Sequence, residues 1–131
     1  MVPPALRLPL AVSLGAVAGA VSRYGIVNGL NAGLGTSFPF GTLTVNLIGA
    51  LGMGVVARFV ASPERRALLA TGFLGSLTTF SAYQLDAETL SAQRLELLFL
   101  YWFGSAALGV ICVELGTRLP RSWLGRGLYR G

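Results

Sequence analysis

Residues Gly75–Gln84 read GSLTTFSAYQ. Ser76, Thr78, Thr79, Ser81 and Gln84 surround Phe80 and Tyr83, in a chain that is otherwise strongly apolar. A helix facing only lipid would place Leu or Val at most of these positions. Gly72 and Gly75 weaken a helix here, and Ser and Thr side chains compete for its backbone bonds. The stretch therefore predicts a helix broken between Gly75 and Thr79. At membrane depth such a break survives only where protein or a polar cavity satisfies the freed backbone groups.

The composition places that stretch inside a bilayer. Hydrophobic residues make up 53% of the 131 and charged residues 11%, against about 25% charge in a soluble domain. Mean hydropathy is +0.68. At roughly 20 residues per crossing, the length allows four helices and one membrane domain over residues 1–131. The spans are expected at about 8–28, 42–61, 67–90 and 95–115, giving an all-α membrane protein with its third helix broken. Asn28–Gly41 is expected to be a loop, with Phe38 and Phe40 at the interface. Ser62 is placed to cap the third span, with Pro63 at its first position. Arg7 followed by LPLAVSLGAVAGA imitates a secretory leader, but the glycine-patterned run continues to Tyr24, so it reads as a retained first span. Gly15 and Gly19 form a small-xxx-small pair suited to close helix approach.

The net charge of +5 comes from arginine alone, for there is no Lys and no His. Most arginines lie outside the apolar runs, so they read as topology signals and headgroup contacts rather than a nucleic-acid surface. With four spans, Arg7, Arg58, Arg65, Arg66, Arg118, Arg121, Arg126 and Arg130 share one face with both termini. Arg23 and Arg94 take the other. The termini are thus expected in the cytoplasm. Arg23 either snorkels to the interface or holds a partner helix by hydrogen bonds.

Catalysis finds little support. Asp86, Glu88, Glu96 and Glu114 lie near span ends with no base within a span. Without His, and with Cys112 alone, neither a zinc site nor a Cys/His pair can form in one chain. The polar residues within spans fit a conduit better. Asn46 is either an interhelical hydrogen bond or a donor to a passing anion. Phe80 and Tyr83 are three apart and share a helix face. Their positive ring edges can stabilise a small anion without the tight grip of a full charge, and Ser81 adds a hydroxyl beside them.

GAVAGAVSRY (Gly15–Tyr24), GTLTVNLIGA (Gly41–Ala50) and GFLGSLTTFSAY (Gly72–Tyr83) together resemble the CrcB/Fluc fluoride channels over nearly the whole chain. The resemblance implies an antiparallel dimer, one subunit inverted, with two fluoride pores along its interface. It implies that Asn46 lines the pore, that Phe80 is the first of two pore phenylalanines, and that Ser81, Tyr101 and Ser105 form a polar track. It further implies a structural Na+ held by backbone carbonyls of Gly75 and Thr78 near the dimer axis.

The departures are Tyr83 for the second pore phenylalanine, Ala82 for a threonine and Asp86 for a glutamate. Tyr83 keeps a ring edge but adds a hydroxyl, and some family members are heterodimers in which one subunit's pore residues have drifted. The function implied is passive, fluoride-selective export from the cytoplasm across the cell (plasma) membrane, lowering fluoride toxicity. The alternatives are a non-conducting or half-pore subunit of a heterodimer, or a small membrane scaffold. A small multidrug-type exporter would want a glutamate in the first span, and none is there. The expected partners are fluoride, the lipid bilayer, and a second copy or inverted paralogue; nucleic acid is not expected.

Overall fold

The computed structural model describes residues 3–35 and 37–120, and over them the chain is helical with no strand. The elements are α1 (Pro4–Leu34), α2 (Phe40–Phe59) and α3 (Pro63–Arg66), which runs into a π-helical stretch (Ala67–Leu74). Then come α4 (Gly75–Leu77), α5 (Phe80–Gln93) and α6 (Leu95–Arg118). Three helices, α1, α2 and α6, are long and apolar enough to cross a membrane. The span anticipated at 67–90 is two shorter arms, 63–77 and 80–93, meeting at Thr78 and Thr79. The C-terminal tail, with Arg121, Arg126 and Arg130, lies outside the described residues.

The expected loop at Asn28–Gly41 is corrected by the structure, because α1 continues to Leu34. Asn28 Nδ2 donates to the Tyr24 carbonyl one turn back (2.9 Å), so its side chain folds onto the helix instead of ending it. The helix stops at Gly35, whose φ of 56° is left-handed and whose N–H reaches the Asn31 carbonyl (3.4 Å). The end of α2 is capped from outside. Arg66 donates from Nε to the Val60 carbonyl (2.6 Å) and from Nη2 to the Ala57 carbonyl (3.4 Å), placing a cation at a helix C-terminus. Ser62 caps α3 as expected, its Oγ accepting from the Arg65 N–H (3.4 Å). Glu64 follows it; hydrogen bonds from its own backbone N–H and from Ser62 hold its carboxyl below the usual range, and nearby Arg7 acts in the same direction. The start of α1 and the α2–α3 connection therefore lie on one side.

Glycines set the packing. Gly15 and Gly19 are buried, and a Cβ on either would strike the carbonyl oxygen of Leu68 or Phe73 in the π-helical stretch. Gly72 answers from the other side against the Val12 carbonyl. Gly54 of α2 and Gly116 of α6 meet in the same way. In lipid, such backbone-to-backbone approach supplies much of the contact energy. Two apolar clusters flank the break. Val45, Val56, Val60, Leu74 and Leu77 form one, and Ala87, Leu90, Leu98 and Tyr101 form the other.

Candidate functional site

The break is extended backbone at Thr78 (ψ 157°) and Thr79 (φ −149°, ψ 122°). Gly75 itself stays helical (φ −64°, ψ −28°), so the interruption begins later than the glycine. A continuous helix would donate the Thr79 N–H to the Gly75 carbonyl. Instead it goes to Asn46 Oδ1 (2.8 Å), and Asn46 Nδ2 returns a bond to the Thr79 carbonyl (3.1 Å). Asn46 thus pairs with Thr79 as a neighbouring peptide group would. Thr79 also starts the second arm, its Oγ1 accepting from the Ala82 N–H (3.2 Å) as an N-cap. The Thr78 hydroxyl donates back to the Leu74 carbonyl (3.0 Å), and its methyl group sits against Gly49.

Arg23 takes the second of its two expected roles. It is half-buried, and Nη1 donates to the Thr78 carbonyl (3.3 Å). A cation well inside α1 therefore holds the backbone of another helix at the break.

Beside the break lies an open groove of about 580 Å³, with Asn46, Thr78, Thr79, Phe80, Tyr83 and Ser105 on its walls. Four residues chosen for an anion path, Asn46, Phe80, Tyr83 and Ser105, are thereby brought together. The Phe80 and Tyr83 rings lie 6.0 Å apart with planes 30° from parallel. Tyr101 is almost fully buried, its ring 4.8 Å from that of Tyr83. It lines a neighbouring cavity that shares Ser105 with the groove. Ser81 is exposed and is not on the groove wall; its Oγ is 3.3 Å from Thr79 Oγ1.

Hydroxyls tie this wall to α6. Ser105 Oγ lies 3.3 Å from the Tyr83 hydroxyl and 3.1 Å from the Trp102 carbonyl, and can donate to either. The Tyr83 hydroxyl reaches the same Trp102 carbonyl at 3.5 Å, and that of Tyr101 reaches Asp86 Oδ2 at 3.5 Å. Sequence reasoning missed Thr79 and Trp102 as site residues. Thr79 carried a readable signal, a threonine heading a new helical run. Trp102 carried none, since it contributes a carbonyl that any residue has.

For a metal, the described residues contain no cluster of three or more His, Cys, Asp or Glu side chains. The backbone at the break is a separate matter: Gly75 is exposed and its carbonyl has lost its helical N–H partner, while the Thr78 carbonyl is engaged by Arg23.

A family model described as CrcB-like protein, Camphor Resistance (CrcB), matches residues 10–117. This chain belongs to the CrcB family. It is 46% identical over 129 residues to a protein of a Synechococcus species named fluoride-specific ion channel FluC, covering 94% of this chain and 99% of the relative. A relative in Trichormus variabilis with the same name is 46% identical over 132 residues, covering 95% and 96%. One in Aquifex aeolicus, again so named, is 40% identical over 118 residues, covering 86% and 95%. The family match contains every residue of the break, the groove and the aromatic wall.

Proposed function

We propose that this chain forms a fluoride-selective channel of the plasma membrane, through which fluoride leaves the cytoplasm passively and its toxicity falls. The observation that carries this is the groove beside the break. Phe80, Tyr83 and the neutral polar residues Asn46, Thr78, Thr79 and Ser105 line it among small and apolar neighbours, and no cationic side chain is among the lining residues. Fluoride is small and holds its water tightly, so a path must replace that water. Asn46 spends one Nδ2 hydrogen on Thr79 and has a second to give. The positive edges of Phe80 and Tyr83 add further partners. The hydroxyls of Tyr83 and Ser105, whose single hydrogens now go to the Trp102 carbonyl and to each other, can serve an anion by turning from those acceptors. None grips as an ammonium or guanidinium would, which allows the ion to leave. The relatives named as fluoride-specific ion channels support the choice of anion.

One chain does not enclose the path. Phe80 is 71% exposed, and Ser81, Gln84 and Glu88 stand exposed on α5. Polar groups facing hydrocarbon are costly, so a second subunit covers this face, and an inverted copy completes the groove. A structural Na+ at the subunit boundary would be held by carbonyls of Gly75 and Thr78. The freed Gly75 carbonyl fits that role. The Thr78 carbonyl, which accepts from Arg23 with one lone pair, would offer its second to the ion, and the remaining ligands would come from the other subunit. The test is efflux from liposomes containing the purified protein, read with a fluoride electrode and with chloride as control. Fluoride release without chloride release is expected; no fluoride release from well-assembled protein would refute the channel reading for the homodimer. A second reading, a half-pore subunit of a heterodimer, is favoured by Tyr83, whose hydroxyl is turned to α6.

A further inference from the structure

The rings do not stop at Tyr101. Phe38 meets it edge to face, with centroids 5.7 Å apart and planes at 86°, and Phe40 follows 4.8 Å beyond. Phe80, Tyr83, Tyr101, Phe38 and Phe40 are thus a continuous series of neighbouring rings. The cavity along the second half of this series is about 470 Å³, with Phe38, Phe40, Leu97, Tyr101, Ser105 and Leu108 on its walls. It adjoins the groove at Ser105, which lines both. By chain order, the α1–α2 junction that carries Phe38 lies on the side of the membrane away from the N-terminus. A route that begins at the break has to reach an aqueous face, and this cavity leads toward that one. Asp86, whose carboxylate would repel an anion, is on the wall of neither cavity.

Resting on the fluoride-channel reading, we propose that Phe38 is a specificity-determining residue of the route, passing the anion between the groove and the membrane surface along its ring edge. The chemistry continues that of Phe80 and Tyr83. In an otherwise apolar passage, rings are the partners offered between Ser105 and the surface, and Phe38 stands between Tyr101 and Phe40. A leucine there would break the series in the middle.

The experiment compares fluoride efflux from liposomes for the wild type, Phe38→Leu, Phe38→Tyr and Val110→Leu, with assembly and thermal stability measured on each. Phe38→Leu should lower flux by about tenfold or more, the rate equivalent of losing roughly one ring-edge interaction. Phe38→Tyr, which keeps the edge, should restore flux to near the wild type. Val110→Leu, on α6 but on the wall of neither cavity, should leave it near the wild type too. If Phe38→Leu does not assemble, Phe38→Met keeps the volume without the ring and is read in the same way. Unchanged flux in an assembled Phe38→Leu or Phe38→Met protein would overturn the proposal and leave the cavity as a packing or lipid surface. So would equal loss of flux and stability in the Leu and Tyr variants. Absence of wild-type flux would instead remove the channel reading itself.

Discussion

Asn46 takes the first of the roles that its sequence position left open, the interhelical hydrogen bond, and keeps the group that the second would need. Its carboxamide closes the break through Thr79 and still has an N–H to offer the groove. Asn46→Asp removes the donor to the Thr79 carbonyl and sets a carboxylate on an anion path. Fluoride flux should fall by more than about tenfold and stability by about 1–3 kcal/mol, the cost of an unsatisfied buried partner; unchanged flux would mean that anions do not pass Asn46. Phe80→Ile should separate the two effects. Phe80 is largely exposed in the single chain, so efflux should drop sharply while folding is retained, because apolar bulk stays and the ring edge goes. If flux is unchanged in a folded protein, Phe80 is a packing residue. Much of this site was legible in the sequence, since Asn46, Phe80, Tyr83 and Ser105 are side chains whose chemistry is printed in their names. The Thr79 pairing and the Trp102 carbonyl were not legible, because backbone groups become partners only once another helix is placed beside them.

At the scale of elements, the helix ends were harder to read than the helices. The apolar runs marked α1, α2 and α6, and the Ser/Thr content marked the break. The glycines near Asn28 pointed to a loop, yet Gly29 and Gly33 sit within α1 with open space around them; their cost of roughly 1 kcal/mol each is outweighed by the continuity of a membrane helix. The π-helical stretch had no signal in ALLATGFL. It contains Gly72, which packs against Gly15 of α1. Gly15 and Gly19 give the prediction for this scale. Gly19→Leu drives a side chain into the Phe73 carbonyl, where neither backbone can give way cheaply. It should prevent stable assembly in detergent, scored as loss of a monodisperse peak, whereas Gly29→Ala, in open space, should leave that peak in place.

For the whole molecule, the exposed polar face of α5 is the feature that a single subunit leaves unresolved. A cysteine introduced at Ser81 and treated with a short bifunctional thiol reagent should yield covalent dimers in membranes if α5 faces its counterpart; only monomer after complete labelling would argue against a shared groove. Cys112 is replaced first to keep the readout clean. Replacing Na+ with a bulky organic cation should lower thermal stability if carbonyls of two subunits hold the ion, and an unchanged melting curve would remove that site. Orientation follows the charges. Arg7, Arg58, Arg65, Arg66 and Arg118 belong to the side of the N-terminus, and Arg23 is spent on the Thr78 carbonyl, leaving Arg94 as the loop charge opposite. Reporters fused to the C-terminus should therefore signal mainly from the cytoplasm; equal signal from both sides would show dual insertion.

The broken third span also bears on biogenesis. Its second arm, with Gln84, Asp86 and Glu88, is too polar to partition into lipid by itself as it leaves the translocon. Its buried residues, Ala87 and Leu90, pack with Leu98 and Tyr101 of α6, a helix not yet synthesised when the arm emerges. The arm must wait at the membrane surface and enter together with α6, while Asn46 of α2 already holds the place where it will dock. With Cys112 replaced and a cysteine placed in the arm, ribosome-bound chains long enough to bring the arm out of the exit tunnel while α6 is still inside it should react with water-soluble thiol reagents, and released full-length chains should hide it.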